Sequence, residues 1–272
     1  MYNLLQEGEM FNILSIFLIL FCHQLYAQFQ FENLGKKDVR EILEDLGSLT
    51  QHSTVSGASM PGPNEHRLEV GLSGSYAQTP SINEFVASSG GDDSYHYLPS
   101  AGFLARFAAG GYLGVELVVL PEIDVGEYNV GSNSVALDVL LYRYNSNFLS
   151  LKLFTGQAEV KYEQLVDESK VDVEITDKVS GQSLTYSKKI HTVELYIGYG
   201  LSNLSGEMKT KGSKTIFDIG VSSDSSVDAS SSFEHFMFGG NWSLDPYQLG
   251  LEYSKVFGNE RFSAKATFLN VF

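Results

Sequence analysis

The chain has 272 residues and a formal net charge of −15, with one Cys, one Trp, six Pro, 26 Gly, 18 Phe and 15 Tyr. The acidity excludes a nucleic-acid binder, which needs a basic footprint, and the single cysteine excludes a disulfide framework or a Cys-based zinc site. Only 19% of residues are charged, against about 25% in ordinary soluble domains. The mean hydropathy of −0.06 is too low for a bundle of membrane helices, and the combination suits a β-barrel in a membrane.

Residues 11–22, FNILSIFLILFC, form an apolar run too short to span a bilayer as a helix. The run has the length of a signal-peptide core, and LYA before Gln28 ends on a small residue suited to cleavage after Ala27. Residues 1–27 are therefore expected to be a signal peptide. Such a cleavage would also remove Cys22 and leave a mature chain without cysteine.

The segment KKDVREILEDLGSLTQ places Val39, Ile42, Leu43 and Leu46 at i, i+3, i+4 and i+7, which predicts a helix with one apolar stripe. Asp38 is its expected N-cap and Gly47 its expected stop. HSTVSGASMPGPNEH follows and reads as a linker, rich in Ser, Gly and Pro.

From residue 65 the period changes from 3.6 to 2, the mark of strands whose two faces meet different environments. Ten alternating segments are expected, in HRLEVGLSGSY, AGFLARFAA, YLGVELVVL, SVALDVLLYRY, FLSLKLFT, HTVELYIGYGL, KTIFDIGV, FEHFMFGGNWSL, YQLGLEYS and RFSAKATFLNVF. The seventh is the weakest, and the ambiguous stretches 158–165 and 206–214 leave eight or twelve strands open.

A soluble sandwich also alternates, but three features point elsewhere. Short connections at Ala109–Gly111, Asn145–Asn147, Asn203–Gly206 and Asp245–Pro246 alternate with long ones at 79–97, 122–132, 166–185 and 222–230, as in barrels with short turns at one end and long loops at the other. The four long loops carry thirteen acids against two bases, so one rim is expected to be acidic. The chain closes on FLNVF, an alternating strand that runs into Phe272.

In these features residues 65–272 resemble the outer-membrane β-barrel proteins of bacteria, although Asn270 stands where such terminal strands usually carry an apolar side chain. The resemblance implies an all-β, antiparallel up-and-down transmembrane barrel of about ten strands, with a short N-terminal helix. It also implies outer-membrane lipid and lipopolysaccharide as surroundings, and Phe272 as the signal read by the barrel-assembly machinery. Residues 28–64 then either plug or seal the periplasmic mouth or simply rest on that surface. Tyr76, Tyr199, Trp242, Tyr247 and Tyr253 would sit in the interfacial girdles.

Charges on the lipid face would cost roughly 2–4 kcal/mol for a cation at the midplane. Arg67, Glu69, Arg106, Glu116, Asp138, Lys152, Glu194, Glu252 and Lys265 are therefore expected to line the lumen. They form either a salt-bridged, nearly closed interior or a narrow polar pore, which the acidic rim would make cation-preferring. Nothing calls for a cofactor, a metal site or catalytic residues, though acidic loops could bridge through calcium to lipopolysaccharide phosphates. The resemblance extends to ten-stranded outer-membrane proteases, which gives Asp92, Asp93 and His96 a possible general-base role, but no second Asp–His pair accompanies them. A non-enzymatic structural or pore-forming barrel, and a surface interaction barrel acting through its acidic loops, are the two main expectations.

Overall fold

The computed structural model describes residues 36–53, 55–88, 96–125, 128–166, 169–216 and 219–272. The expected signal peptide, Asp92 and Asp93 lie outside them. Ten strands follow one another: β1 (His66–Gln78), β2 (Tyr97–Ala109), β3 (Leu113–Val125), β4 (Tyr128–Tyr144), β5 (Asn147–Val166), β6 (Ser169–Ile190), β7 (Val193–Ile216), β8 (Ile219–Leu244), β9 (Tyr247–Val256) and β10 (Asn259–Val271). Each pairs antiparallel with its neighbours, and β10 closes on β1. Helix α1 (Lys36–Thr50) precedes the barrel, and α2 (Pro80–Ser88) lies between β1 and β2.

The end of the barrel where β1 starts and β10 stops is called inner. There Phe272 and His66 exchange backbone hydrogen bonds of 2.8 and 3.0 Å. The tight turns at this end use left-handed residues, Gly110 and Gly111, Asn145 and His191, which let two or three residues reverse the chain.

Strands β1, β2, β3 and β10 have 13 residues each, close to the roughly 9–11 that a tilted strand needs to span a bilayer. Strands β5 to β8 have 20, 22, 24 and 26, so one side of the barrel rises well beyond the others at the outer end.

Along these long strands the two faces exchange character. Near the inner end of β7, Leu195, Ile197, Tyr199 and Leu201 are exposed on the outside, while Ser202 is buried within. Further out the same outward row reads Asn203, Ser205, Glu207 and Lys209, and the inward row supplies buried Leu204 and Met208. β6 and β8 do likewise: exposed Leu184, Tyr186, Phe236 and Phe238 belong to the lower belt, and buried Val173, Ile175, Val179 and Ala229 to the upper interior. The lower barrel is greasy outside and polar inside, as lipid demands; the upper barrel is polar outside and apolar inside, as water demands.

This exchange corrects several strand assignments. Residues 166–185 are mostly strand β6 rather than a long loop, and Asn203–Gly206 lies inside β7 rather than in a turn. The expected seventh strand, KTIFDIGV, straddles the end of β7 and the start of β8, with Phe217 and Asp218 outside the described residues. Where the apolar row changes face, two apolar positions fall three apart, as at Leu201 and Leu204, and a period-2 pattern breaks as it would at a turn. One missed strand and one surplus one leave the count at ten.

Helix α1 occupies the upper interior. Val39 and Leu43 form one buried cluster with Phe154, Val173, Ile175, Val179, Leu204, Met208 and Phe257. The helix therefore sits in the half opposite to the chain's inner end, not at the mouth where β1 begins, because the upper interior offers broad apolar walls to its stripe. Asp38 lies in the first turn rather than before it, and the helix continues past Gly47 to Thr50. Gly47 serves close packing instead: a Cβ there would come 2.9 Å from Leu204 Cδ1. No described helix is long and apolar enough to cross a membrane.

Candidate functional site in the barrel lumen

The expected linker is a strap. From the foot of α1, residues 51–53 and 55–61 descend through the lumen to the inner end, and the barrel wall holds them at successive levels.

At the top, Asp45 on α1 receives backbone N–H bonds from Ser81 (2.8 Å) and Ile82 (2.9 Å) in the first turn of α2, and one from Asn259 Nδ2 (2.9 Å). It caps a helix that is distant in sequence. Burial pushes its carboxyl from 3.8 up to about 7, against the pull of these donors.

One level down, Arg261 donates from Nη1 to the carbonyls of Ser48 (3.0 Å) and Gln51 (2.8 Å). Ser202 Oγ donates to Gln51 Oε1 at 2.7 Å and also contacts His235 Nδ1 at 2.8 Å. Midway, Ser53 donates to Glu252 (3.1 Å), which also accepts from Tyr196 OH (3.0 Å). His52 lies between Ser134 Oγ (2.8 Å from Nδ1) and Glu116 Oε2 (3.2 Å from Nε2). A carboxylate only accepts, so the neutral ring donates to Glu116 and accepts from Ser134.

At the same depth the wall carries a connected ionic layer. Arg106 meets Glu116 at 2.8 Å, Asp138 at 3.3 Å and Glu69 at 3.9 Å. Lys152 meets Glu116 at 2.7 Å and Asp138 at 3.8 Å, and Lys265 binds Glu69 and the strap's Ser56. Cross-strand register produces these contacts: Glu69, Arg106 and Glu116 are opposite one another on β1, β2 and β3, and Asp138 faces Lys152 across β4 and β5.

At the bottom, Glu194 accepts from Ser59 N (2.9 Å) and Oγ (2.7 Å), and Arg67 donates to Ser59 O (2.7 Å). A Cβ on Gly57 would strike the Glu194 carboxylate, so a larger residue there would have to displace the acceptor that holds Ser59. Arg143 gathers the carbonyls of Met60, Pro61 and Gly111 at 3.2, 2.7 and 3.0 Å, beneath a small apolar seal of Ala58, Met60, Ala108, Leu140 and Phe148.

The nine charged residues singled out from sequence all lie on the inward side; eight are buried, and Arg67 is partly so. Sequence reasoning missed Arg261, Arg143, His52, Ser59 and Asp45. Arg261 could have been found, since it shares the parity of Ser263 and Lys265, both on the inward row. Arg143 could not, because a register shift between Leu140 and Tyr142 changes its face. With Arg261 and Arg143 added to the nine, six bases and five acids face the strap along the length of the lumen.

Ser134, His52 and Glu116 form a Ser–His–carboxylate chain, but it is sealed inside the lumen and Glu116 is committed to Arg106 and Lys152. Of the expected rim residues, His96 is exposed and lies 3.4 Å from Asn83. Phe272 is exposed at the inner end, with its ring 5.7 Å from that of His66.

No family model and no curated protein matches the chain. Solved structures similar to it are outer-membrane barrels. The outer membrane protease OmpT from Escherichia coli aligns at 11% identity and a TM-score of 0.44, covering 81% of this chain and 100% of that one. The translocator domain of the autotransporter NalP from Neisseria meningitidis aligns at 8% and 0.40, covering 77% and 89%. The attachment invasion locus protein Ail of Yersinia pestis aligns at 11% and 0.32, covering 77% and 99%. By its own strand order and closure the chain is an up-and-down β-barrel of the outer-membrane type.

Proposed function

We propose that this protein is a non-enzymatic outer-membrane barrel whose resting lumen is closed by its own N-terminal segment, and which acts at the cell surface through its acidic outer extension. One observation carries the reading: the strap, residues 51–53 and 55–61, is hydrogen-bonded to the wall from Arg261 at the top to Arg143 at the bottom. A conducting lumen would need a continuous water path, and the strap takes its place. The outer extension of β5 to β8, water-facing on its outside and built around α1, gives a structured surface for contact. Its carboxylates suit divalent cations that bridge to lipopolysaccharide phosphates.

Planar-bilayer recording tests closure. The full chain is expected to give no steps, and a variant lacking residues 36–61 to give discrete steps through the exposed polar wall. Steady conductance of the full chain, equal to that of the deletion variant, would overturn the reading.

A further inference from the structure

We propose that the edge of β8 above the lipid belt is a docking site for an extended, basic peptide segment of a partner protein, which joins the sheet as a further strand. β9 pairs with β8 only from Lys255, opposite Phe236, to Tyr247, opposite Leu244. The chain then turns back into β10 at Phe257 and Gly258, both left-handed. β8 continues outward to Ile219 with β7 on one side. Among the described residues, no strand and no backbone hydrogen bond meets its other side. Alternate residues of such an edge offer N–H and C=O groups to an incoming chain. Sheets usually guard a long edge with Lys, Pro or a bulge. Residues 219–235 contain no Lys, Arg or Pro, and their register with β7 runs without a shift.

The edge is held in shape from within. Val227 and Phe233 pack against the cluster that includes Val39 and Leu43 of α1, and the Phe233 ring meets that of Phe257 edge-on at 5.7 Å. An added strand therefore extends a sheet that is already formed, with little to order on this side. The outward row, Ser226, Asp228, Ser230, Ser232 and Glu234, is exposed. Asp228 lies directly opposite Glu207 on β7, and like charges so placed repel. Glu207 is bound by Lys209 at 2.9 Å and Ser226 at 2.6 Å. A base on the added strand, opposite Asp228, relieves the pair from its other side. The net charge of −15 draws a cationic segment in from a distance. A second copy of this chain would bring its own Asp228 and Glu234 against the same row, acid near acid. The segment that fits alternates basic or small polar residues, facing outward, with apolar ones that extend the row of Val227, Ala229 and Phe233. This inference rests on the surface-contact reading above and names the kind of partner.

Peptide binding to the purified full chain in detergent, shown to be folded by heat-modifiable gel migration, tests the proposal. The probe is a fluorescent peptide in which Lys and Thr alternate with Val. Its controls are a version with Glu for Lys, and two versions N-methylated on alternate backbone amides, either at Val or at Lys and Thr. The lysine probe is expected to bind, and the Glu version to bind at least about tenfold more weakly. One N-methylated version is expected to bind at least about tenfold more weakly than the other, because a docked strand turns only one set of amides toward β8. Asp228→Lys is expected to reverse the preference between the Lys and Glu peptides. In a chain whose only cysteine, Cys22, is replaced by Ser, a maleimide-bearing lysine probe is expected to join Ser230→Cys on β8 and not Tyr144→Cys at an inner turn. Absence of binding, equal binding of the two N-methylated versions, or equal joining of the two cysteines would overturn the proposal. A barrel dimer linked through Ser230→Cys in place of the peptide would overturn it too. A chain that is silent in bilayers yet binds no probe would strike this inference alone and leave the closed lumen standing.

Discussion

Arg261 shows how a single side chain ties the strap to the wall. It is fully buried, and its guanidinium serves the Ser48 carbonyl at the end of α1, the Gln51 carbonyl of the strap, Ser254 Oγ at 3.1 Å and, at 3.7 Å, Glu252. Removing one partner from a buried charged set leaves the others unpaired, which is the costly direction. Arg261→Met is expected to lower stability by about 3 kcal/mol, read as a lower urea midpoint in detergent; an unchanged midpoint would show that the strap is not held there. Asp45 brings pH dependence at the top of the lumen. Its folded-state value of about 7 lies above the unfolded 3.8. Its contribution is therefore fully present below the unfolded value and is lost as pH rises through the folded one. The barrel is expected to melt at a higher temperature near about pH 5 than near about pH 8, and Asp45→Asn to reduce that difference. An identical pH slope in the variant would remove Asp45 from the account. The importance of Asp45 was not legible in the sequence, because on a helical wheel it is only one of several acids on α1. What singles it out is a loop helix and the start of β10 arriving from elsewhere in the chain.

At the level of the elements, the lower barrel was legible and the upper barrel was not, for one reason. Lipid on one side and a polar lumen on the other make a period-2 signal, so the segments around Leu68, Phe103, Val115, Leu137 and Leu249 read directly as strands. Above the lipid, the same strands meet water outside and α1 inside. Their apolar residues therefore move to the other row without any break in the backbone. Reading one row per strand turns that exchange into a false turn at Asn203–Gly206 and a false loop at 166–185. Three substitutions on β7 separate the two regimes. Ile197→Lys puts a cation in the lipid belt and is expected to cost roughly 2–4 kcal/mol. Lys209→Leu, on the same outward row but above the belt, is expected to leave folding nearly unchanged. Met208→Lys is expected to loosen α1, seen as new protease cleavage within residues 36–50 while the barrel stays heat-modifiable. If Lys209→Leu and Ile197→Lys behaved alike, the exchange of faces would lose its support.

For the molecule as a whole, closing the sheet pairs every strand with two neighbours in the lower barrel and leaves one internal space to fill. That space is lined by acids and bases in near balance, and a strap of small polar residues fills it. Ser, Gly and His make hydrogen bonds with charged walls where larger apolar side chains would strip those charges of partners. The Ser- and Gly-rich composition that reads as a flexible linker is thus the composition a polar lumen selects. From sequence alone the two cannot be told apart, because the partners lie on strands up to about two hundred residues away, as with Ser53 and Glu252. The strap's occupancy of the lumen can be measured directly by pairing Ser53→Cys with Ser73→Cys in the Cys22→Ser background. In the native protein Ser73 Oγ donates to the Ser53 carbonyl at 3.3 Å. In purified, folded barrel a short bis-maleimide is predicted to join the two cysteines within one chain, shifting gel mobility, while Ser53→Cys paired with the exposed inner-turn Tyr144→Cys stays unjoined. Failure of the Ser53–Ser73 pair to cross-link in barrel that is fully folded by heat-modifiability would contradict the filled lumen.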